Sequence, residues 1–174
     1  MFVLYMCRGA VSAPNYVVGI ISKGGRTPPL RNECGKILHM TENLPMAQTQ
    51  SLYDLLGGET GVRALVDRFY DLVETAPEAQ DIRALHATSL KQSREKLFMF
   101  LSGWSGGPAL YIEKFGHPRL RQRHMPFVIG ERERDQWLWC MQRAIDVGDY
   151  HPSVVEHLKT RFAEIADFMR NQAG

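Results

Sequence analysis

The chain has 174 residues, with 21 Lys and Arg against 19 Asp and Glu for a formal net charge of +2. That length fits one domain with an extension, and 44% hydrophobic with 23% charged residues excludes the disordered and fibrous classes. So small a net charge supplies no broad positive field, so nucleic acid is not expected as a partner.

Residues 1–48 differ in texture from the rest. Met1 to Asn32 holds no acidic residue, and Arg8, Lys23, Arg26 and Arg31 are scattered among Gly, Pro and short apolar runs without helical or strand period. A signal peptide would carry its charge before its apolar region, whereas Met1 to Cys7 is apolar and Arg8 follows it. A transit peptide, or a start of translation at Met40 or Met46, are the other readings, and the late start is preferred. The domain boundary is therefore placed after residue 48, with residues 49–174 as the folded unit. Cys7, Cys34 and Cys140 cannot all pair and form no CxxC element, so neither a disulfide framework nor a thiolate zinc site is supported and a cytoplasmic, reducing location fits best. No run approaches the roughly 20 apolar residues of a membrane helix, so no membrane partner is expected.

From Ser51 onward the apolar spacing is helical. Val62, Leu65, Val66, Phe69, Tyr70 and Val73 recur at three and four, predicting a helix opened by Thr60 and closed before Pro77. A second helix is expected from about Leu90 to Leu101, ended by Ser102-Gly103 and Gly106-Gly107-Pro108. Pro118 opens and Pro126 ends a brief helix that carries His124 in its last turn. Trp137, Met141, Ala144 and Ile145 share a face of a helix starting near Glu131, and Val154, Leu158, Phe162, Ile165 and Met169 share one after Pro152. No useful strand alternation follows Ser51, so the fold class is all-α.

Motifs for hydrolysis and phosphate binding (GxSxG, HExxH, the P-loop) are absent, and Glu113 and His117 have the wrong spacing for a carboxylate-bridged di-iron bundle. What remains is His124, which follows Arg119, Arg121 and Arg123 and precedes Pro126-Phe127. A solvated basic turn is the commoner explanation of such a histidine. The alternative is an axial ligand to haem iron, with the arginines as cationic donors for two propionates.

Several ordered motifs bear on that choice: Tyr53-Asp54-Leu55-Leu56-Gly57-Gly58, Arg68-Phe69-Tyr70, Phe98-Met99-Phe100-Leu101-Ser102-Gly103-Trp104, Gly106-Gly107-Pro108, Gly116-His117-Pro118-Arg119-Leu120-Arg121, Arg123-His124-Met125-Pro126-Phe127 and Arg134-Asp135-Gln136-Trp137-Leu138-Trp139-Cys140-Met141. With them the chain from Ser51 onward resembles the group II truncated haemoglobins, small globins with a two-over-two helical sandwich around a haem. The resemblance implies haem b as cofactor, His124 as proximal iron ligand, and Tyr70 and Trp137 as distal hydrogen-bond donors, with His86 at a variable loop position beside them. It also implies Ser93 and Leu97 on the ligand side of the distal helix, and Lys96, Tyr111 and Arg123 within reach of the propionates. Each has a plainer alternative: core aromatics for Tyr70 and Trp137, a solvent-facing loop histidine for His86, solvated faces for the charged residues. The chain departs from the family pattern in being one residue shorter than some relatives between His86 and Leu90, in Ala87 where a proline often stands, and in Ser105 where a larger apolar residue is common, which is expected to loosen the haem edge.

The function implied is reversible binding of oxygen and other diatomic ligands by a monomer or homodimer. The rivals are a haem enzyme consuming nitric oxide or peroxide, which would need an external reductase because the chain has no flavin or nicotinamide motif, and a haem-free helical interaction module.

Overall fold

The computed structural model describes residues 50–173; the proposed 1–48 extension lies outside the described residues. Eight α-helices follow one another there: α1 (Leu52–Leu55), α2 (Gly58–Thr75), α3 (Gln80–Ala84), α4 (Lys91–Trp104), α5 (Leu110–Phe115), α6 (Leu120–His124), α7 (Glu131–Asp146) and α8 (Pro152–Met169), with a 3₁₀ turn at Pro77–Ala79. No strand occurs among the described residues.

The apolar stripes dictate the packing. On α2, Val62, Leu65, Val66, Phe69 and Val73 are each at most 1% exposed, because the helix meets α4 on one side and α7 on the other. Cys140, Met141, Ala144 and Ile145 of α7 face α2 and α8 from the middle of the molecule, and Val154, Leu158 and Phe162 of α8 close the far side. Burying one such side chain contributes about 1.5–3 kcal/mol, so this stripe of contacts, rather than helix propensity, holds the long helices. Polar clips fix their registry: Arg94 of α4 reaches Asp67 and Asp71 of α2 (3.3 and 2.5 Å), and Arg68 donates to the Ala144 carbonyl and the Tyr150 hydroxyl, both at 2.9 Å.

The start of α2 depends on a glycine. A Cβ on Gly61 would lie 1.7 Å from the Leu56 carbonyl oxygen, so only glycine lets α1 turn back so tightly onto α2. Likewise a Cβ on Gly107 would sit 2.5 Å from the Tyr53 ring.

The five helices expected from periodicity are all present, but α2 opens at Gly58 rather than at Thr60, the His124 helix opens at Leu120 rather than at Pro118, and α4 does not end where predicted. Ser102 and Gly103 lie inside it, and the helix runs on to Trp104. The Ser102 hydroxyl donates to the Phe98 carbonyl four residues back (2.9 Å), which satisfies a fully buried polar side chain without breaking the helix. Gly103 leaves room for the backbone of Ala109. Ser105 forms the cap instead: it is fully buried and its hydroxyl donates to the Leu101 carbonyl at 2.7 Å.

Candidate functional site

Helix α6 is the anomaly of the fold. It has five residues, buries none of them fully, and its one substantial packing contact is with α8. Backbone and polar contacts hold it there. Arg121 donates to the Phe168 and Arg170 carbonyls at the end of α8. Just beyond α8, the Asn171 amide donates to the carbonyls of His124 (3.3 Å) and Phe127 (2.7 Å). Of the seven large apolar side chains exposed among the described residues, five lie between positions 112 and 128: Ile112, Phe115, Met125, Phe127 and Val128. So many exposed apolar side chains on one stretch of chain make it a candidate binding surface.

His124 is the last residue of α6 and is half-buried. Its Nδ1 lies 2.7 Å from the Leu120 carbonyl. A carbonyl only accepts, so Nδ1 carries the proton and Nε2 is left with its lone pair. This is the arrangement that prepares an imidazole to bind a metal, the second nitrogen being fixed by a backbone carbonyl. Among the described residues no three His, Cys, Asp or Glu side chains gather into a metal site.

A chain of rings lies on the other helices. His86 meets Tyr70 edge-on at 5.7 Å between centroids, Tyr70 meets Phe69 at 4.9 Å, Phe69 meets Trp137 at 5.3 Å, and Trp137 meets Phe162 at 5.8 Å. Three of the sequence candidates, on α2, α7 and the segment after α3, are thus brought into one cluster. Tyr70 is 6% exposed, and burial pushes its hydroxyl up to about 12 despite the opposing pull of the Ser93 hydroxyl and the Arg94 charge. It therefore keeps its proton, and its ability to donate, throughout the physiological range. Ser93 and Leu97 lie one turn apart on α4 and are both half-buried. His124 makes no ring contact with this cluster.

Lys96, Tyr111 and Arg123 form a second group. Tyr111 is buried and packs against Phe100 (6.5 Å) and Phe115 (5.1 Å). The Arg123 guanidinium lies 6.0 Å over the Tyr111 ring and the Lys96 ammonium 5.8 Å over Phe115. Lys114, absent from the sequence candidates, lies 5.6 Å over the same Phe115 ring; standing three residues after Tyr111 on α5, it could have been placed on that residue's face from spacing alone. Neither Lys96 nor Lys114 is ion-paired among the described residues, where a dozen ion pairs do form. Two unpaired ammonium groups over one aromatic ring suit an anionic ligand group.

The model of the bacterial-like globin family matches residues 51–171. The chain belongs to that family. The globin match spans every helix just described. The chain is 37% identical over 120 residues to a group 2 truncated hemoglobin of Bacillus subtilis, covering 69% of this chain and 88% of the relative. Among solved structures it resembles the group II 2-on-2 hemoglobin of Agrobacterium tumefaciens, with 42% identity, TM-score 0.71 and coverage of 73% and 98% of the two chains. It also resembles a truncated oxygen-avid haemoglobin from Bacillus subtilis, with 36% identity, TM-score 0.64 and coverage of 70% and 100%. The fold is accordingly the two-over-two globin sandwich, with α2 and α4 as one pair and α7 and α8 as the other.

Proposed function

We propose that this globin binds haem b through His124 and uses the pocket to hold oxygen and related diatomic ligands. The observation that carries the reading is the pairing of a metal-ready imidazole with an underpacked helix. His124 presents Nε2 from α6, which rests on α8 and leaves apolar side chains uncovered around it. One histidine with no neighbouring ligands holds a metal firmly only when a cofactor supplies the rest of the coordination, and a flat apolar cofactor is what the exposed Met125, Phe127 and Val128 can cover. The chain has no CxxCH sequence for covalent attachment, which favours a non-covalent b-type haem. Bound there, the haem supplies a ferrous iron with an open position for a diatomic ligand.

The side chains divide the remaining work. Tyr70 and Trp137 donate hydrogen bonds to the partial negative charge on the ligand, the hydroxyl kept protonated by burial and the indole N–H being a donor only. Ser93 and Leu97 line the ligand side, the small serine leaving an entry path and the leucine excluding water. Lys96, Lys114 and Arg123, set around Tyr111 and Phe115, pair with the propionates. His86 bounds the distal side: with Nδ1 donating to the Ile82 carbonyl at 2.7 Å, its Nε2 is an acceptor when the ring is neutral, so it steadies Tyr70 rather than donating to the ligand.

The test is the optical spectrum of the pure protein expressed with adequate iron and haem precursor, alongside His124→Ala. Wild type should give a ferrous haem spectrum that shifts on adding carbon monoxide, and the variant should lose haem or require added imidazole. A variant with normal haem content and a normal carbon monoxide complex would overturn the assignment of His124.

A further inference from the structure

Gln136 precedes Trp137 on α7 and is turned toward the 3₁₀ turn and α3. Its Oε1 accepts from two consecutive backbone N–H groups, those of Asp81 and Ile82, both at 3.1 Å. Its Nε2 donates to the Asp81 carboxylate at 2.5 Å, and the same carboxylate is paired with Arg132 at 2.6 Å. The three groups that Gln136 bonds lie at the start of α3, where backbone N–H groups have no partner within the helix. Ile82 is the pivot of the arrangement. Its N–H is held by Gln136, its side chain is 4% exposed, and its carbonyl receives the Nδ1–H of His86. The imidazole is thus tied to α7 through the backbone of a single residue, Ile82, with its ring seated on Tyr70.

We propose that Gln136 is a positioning residue, holding the His86 imidazole in one tautomer and one place against Tyr70 through the backbone of Ile82. The segment Leu85 to Leu90 has no regular helix of its own; Arg83 holds it by donating to the Ala87 and Thr88 carbonyls, but those bonds leave the imidazole itself to Ile82, and a helix of five residues is too short to persist without anchors such as Gln136. That the held imidazole matters to ligand binding rests on the distal reading of Tyr70 and His86 given above; that it is held by Gln136 does not.

The experiment separates the two. Nitrogen-15 spectra of the imidazoles, recorded on the purified full chain reduced under carbon monoxide and assigned with a His86→Gln variant, should show His86 as a single Nδ1–H tautomer. In Gln136→Met, which keeps the side-chain length and removes both hydrogen-bonding groups, the signal should average between tautomers and the Ile82 amide should exchange with solvent faster. An unchanged tautomer with unchanged Ile82 exchange overturns the proposal. Gln136→Leu, which also removes both hydrogen-bonding groups, gives a second route should the methionine variant fold poorly, and unchanged Ile82 exchange there overturns it equally. Oxygen release is the functional arm. Gln136→Met should speed it roughly three- to tenfold, a fraction of one hydrogen bond's worth, and should add nothing in a His86→Phe background. Loss of the single tautomer with unaltered oxygen release would uphold the positioning and refute the distal role of His86.

Discussion

Replacing Tyr70 by phenylalanine removes one oxygen atom and keeps the ring that packs on Phe69 and His86, so its consequences fall on the ligand and on the proton. A hydrogen bond to a group carrying charge contributes about 1.5–3 kcal/mol, and each 1.4 kcal/mol or so is tenfold, so oxygen should leave the variant roughly ten to a hundred times faster. Carbon monoxide, with less charge on its terminal atom, should respond far less. Stopped-flow displacement of oxygen by carbon monoxide measures both. Burial also raises the hydroxyl from 10.0 to about 12. A group whose pKa is raised by folding leaves stability intact below the unfolded value and removes it as the pH climbs through the folded one, so the loss falls between pH 10.0 and about 12. At about 1.4 kcal/mol per unit this amounts to about 3 kcal/mol that the phenylalanine variant never loses. Buried Cys140, raised from 9.0 to about 11, loses stability in both proteins from pH 9.0 upward, so the difference between their denaturation curves isolates Tyr70. Oxygen release within about twofold of wild type, alongside the alkaline difference, would make Tyr70 a core residue that never meets the ligand. Absence of the alkaline difference would refute the argument from burial.

Trp137→Phe keeps a ring against Phe69 and Phe162 and removes the indole N–H, so oxygen release should quicken with carbon monoxide again less affected, and combination with Tyr70→Phe should be non-additive because both donors serve one ligand. Unchanged release in the tryptophan variant alone would leave the tyrosine as the only donor. Deleting residues 1–45 should leave haem content and ligand binding unaltered, since the family match begins at residue 51; a truncated protein that loses haem would show that these residues contribute to the domain.

What could be read from the sequence was whatever the 3.6-residue period controls. Helices α2, α7 and α8 run 16 to 18 residues, long enough for their stripes to stand above chance. Helices α1, α3 and α5 have four to six residues, fewer than two turns, and leave no period to find. The end of α4 was misread because Ser102-Gly103 looks like a stop signal, when in the folded chain each is small enough to be buried where a larger residue would not fit. The candidate residues came from motifs, but the contacts that bring Tyr70, His86 and Trp137 into one cluster span distances no local pattern reports. Gln136 binds residues 54 and 55 positions away, and Asn171 ties down His124 across 47.

The two histidines make the same point within one molecule. His86 and His124 each place Nδ1 at 2.7 Å from the carbonyl four residues back, each in the last turn of a five-residue helix or just past it. Local geometry therefore gives both the same tautomer and the same free Nε2 lone pair. What separates them is tertiary. The helix leading to His86 is fastened to α7 by Gln136, and its ring is covered by Tyr70, so the imidazole is committed to protein contacts. His124 sits on a helix whose one substantial packing partner among the described residues is α8, close in sequence to exposed apolar side chains, and among the described residues its Nε2 has no hydrogen-bond partner. On the reading proposed above, His124 is therefore the imidazole offered to a cofactor, since the ring at position 86 is taken up by its contact with Tyr70; the three-dimensional surroundings, not the local chemistry, separate the two.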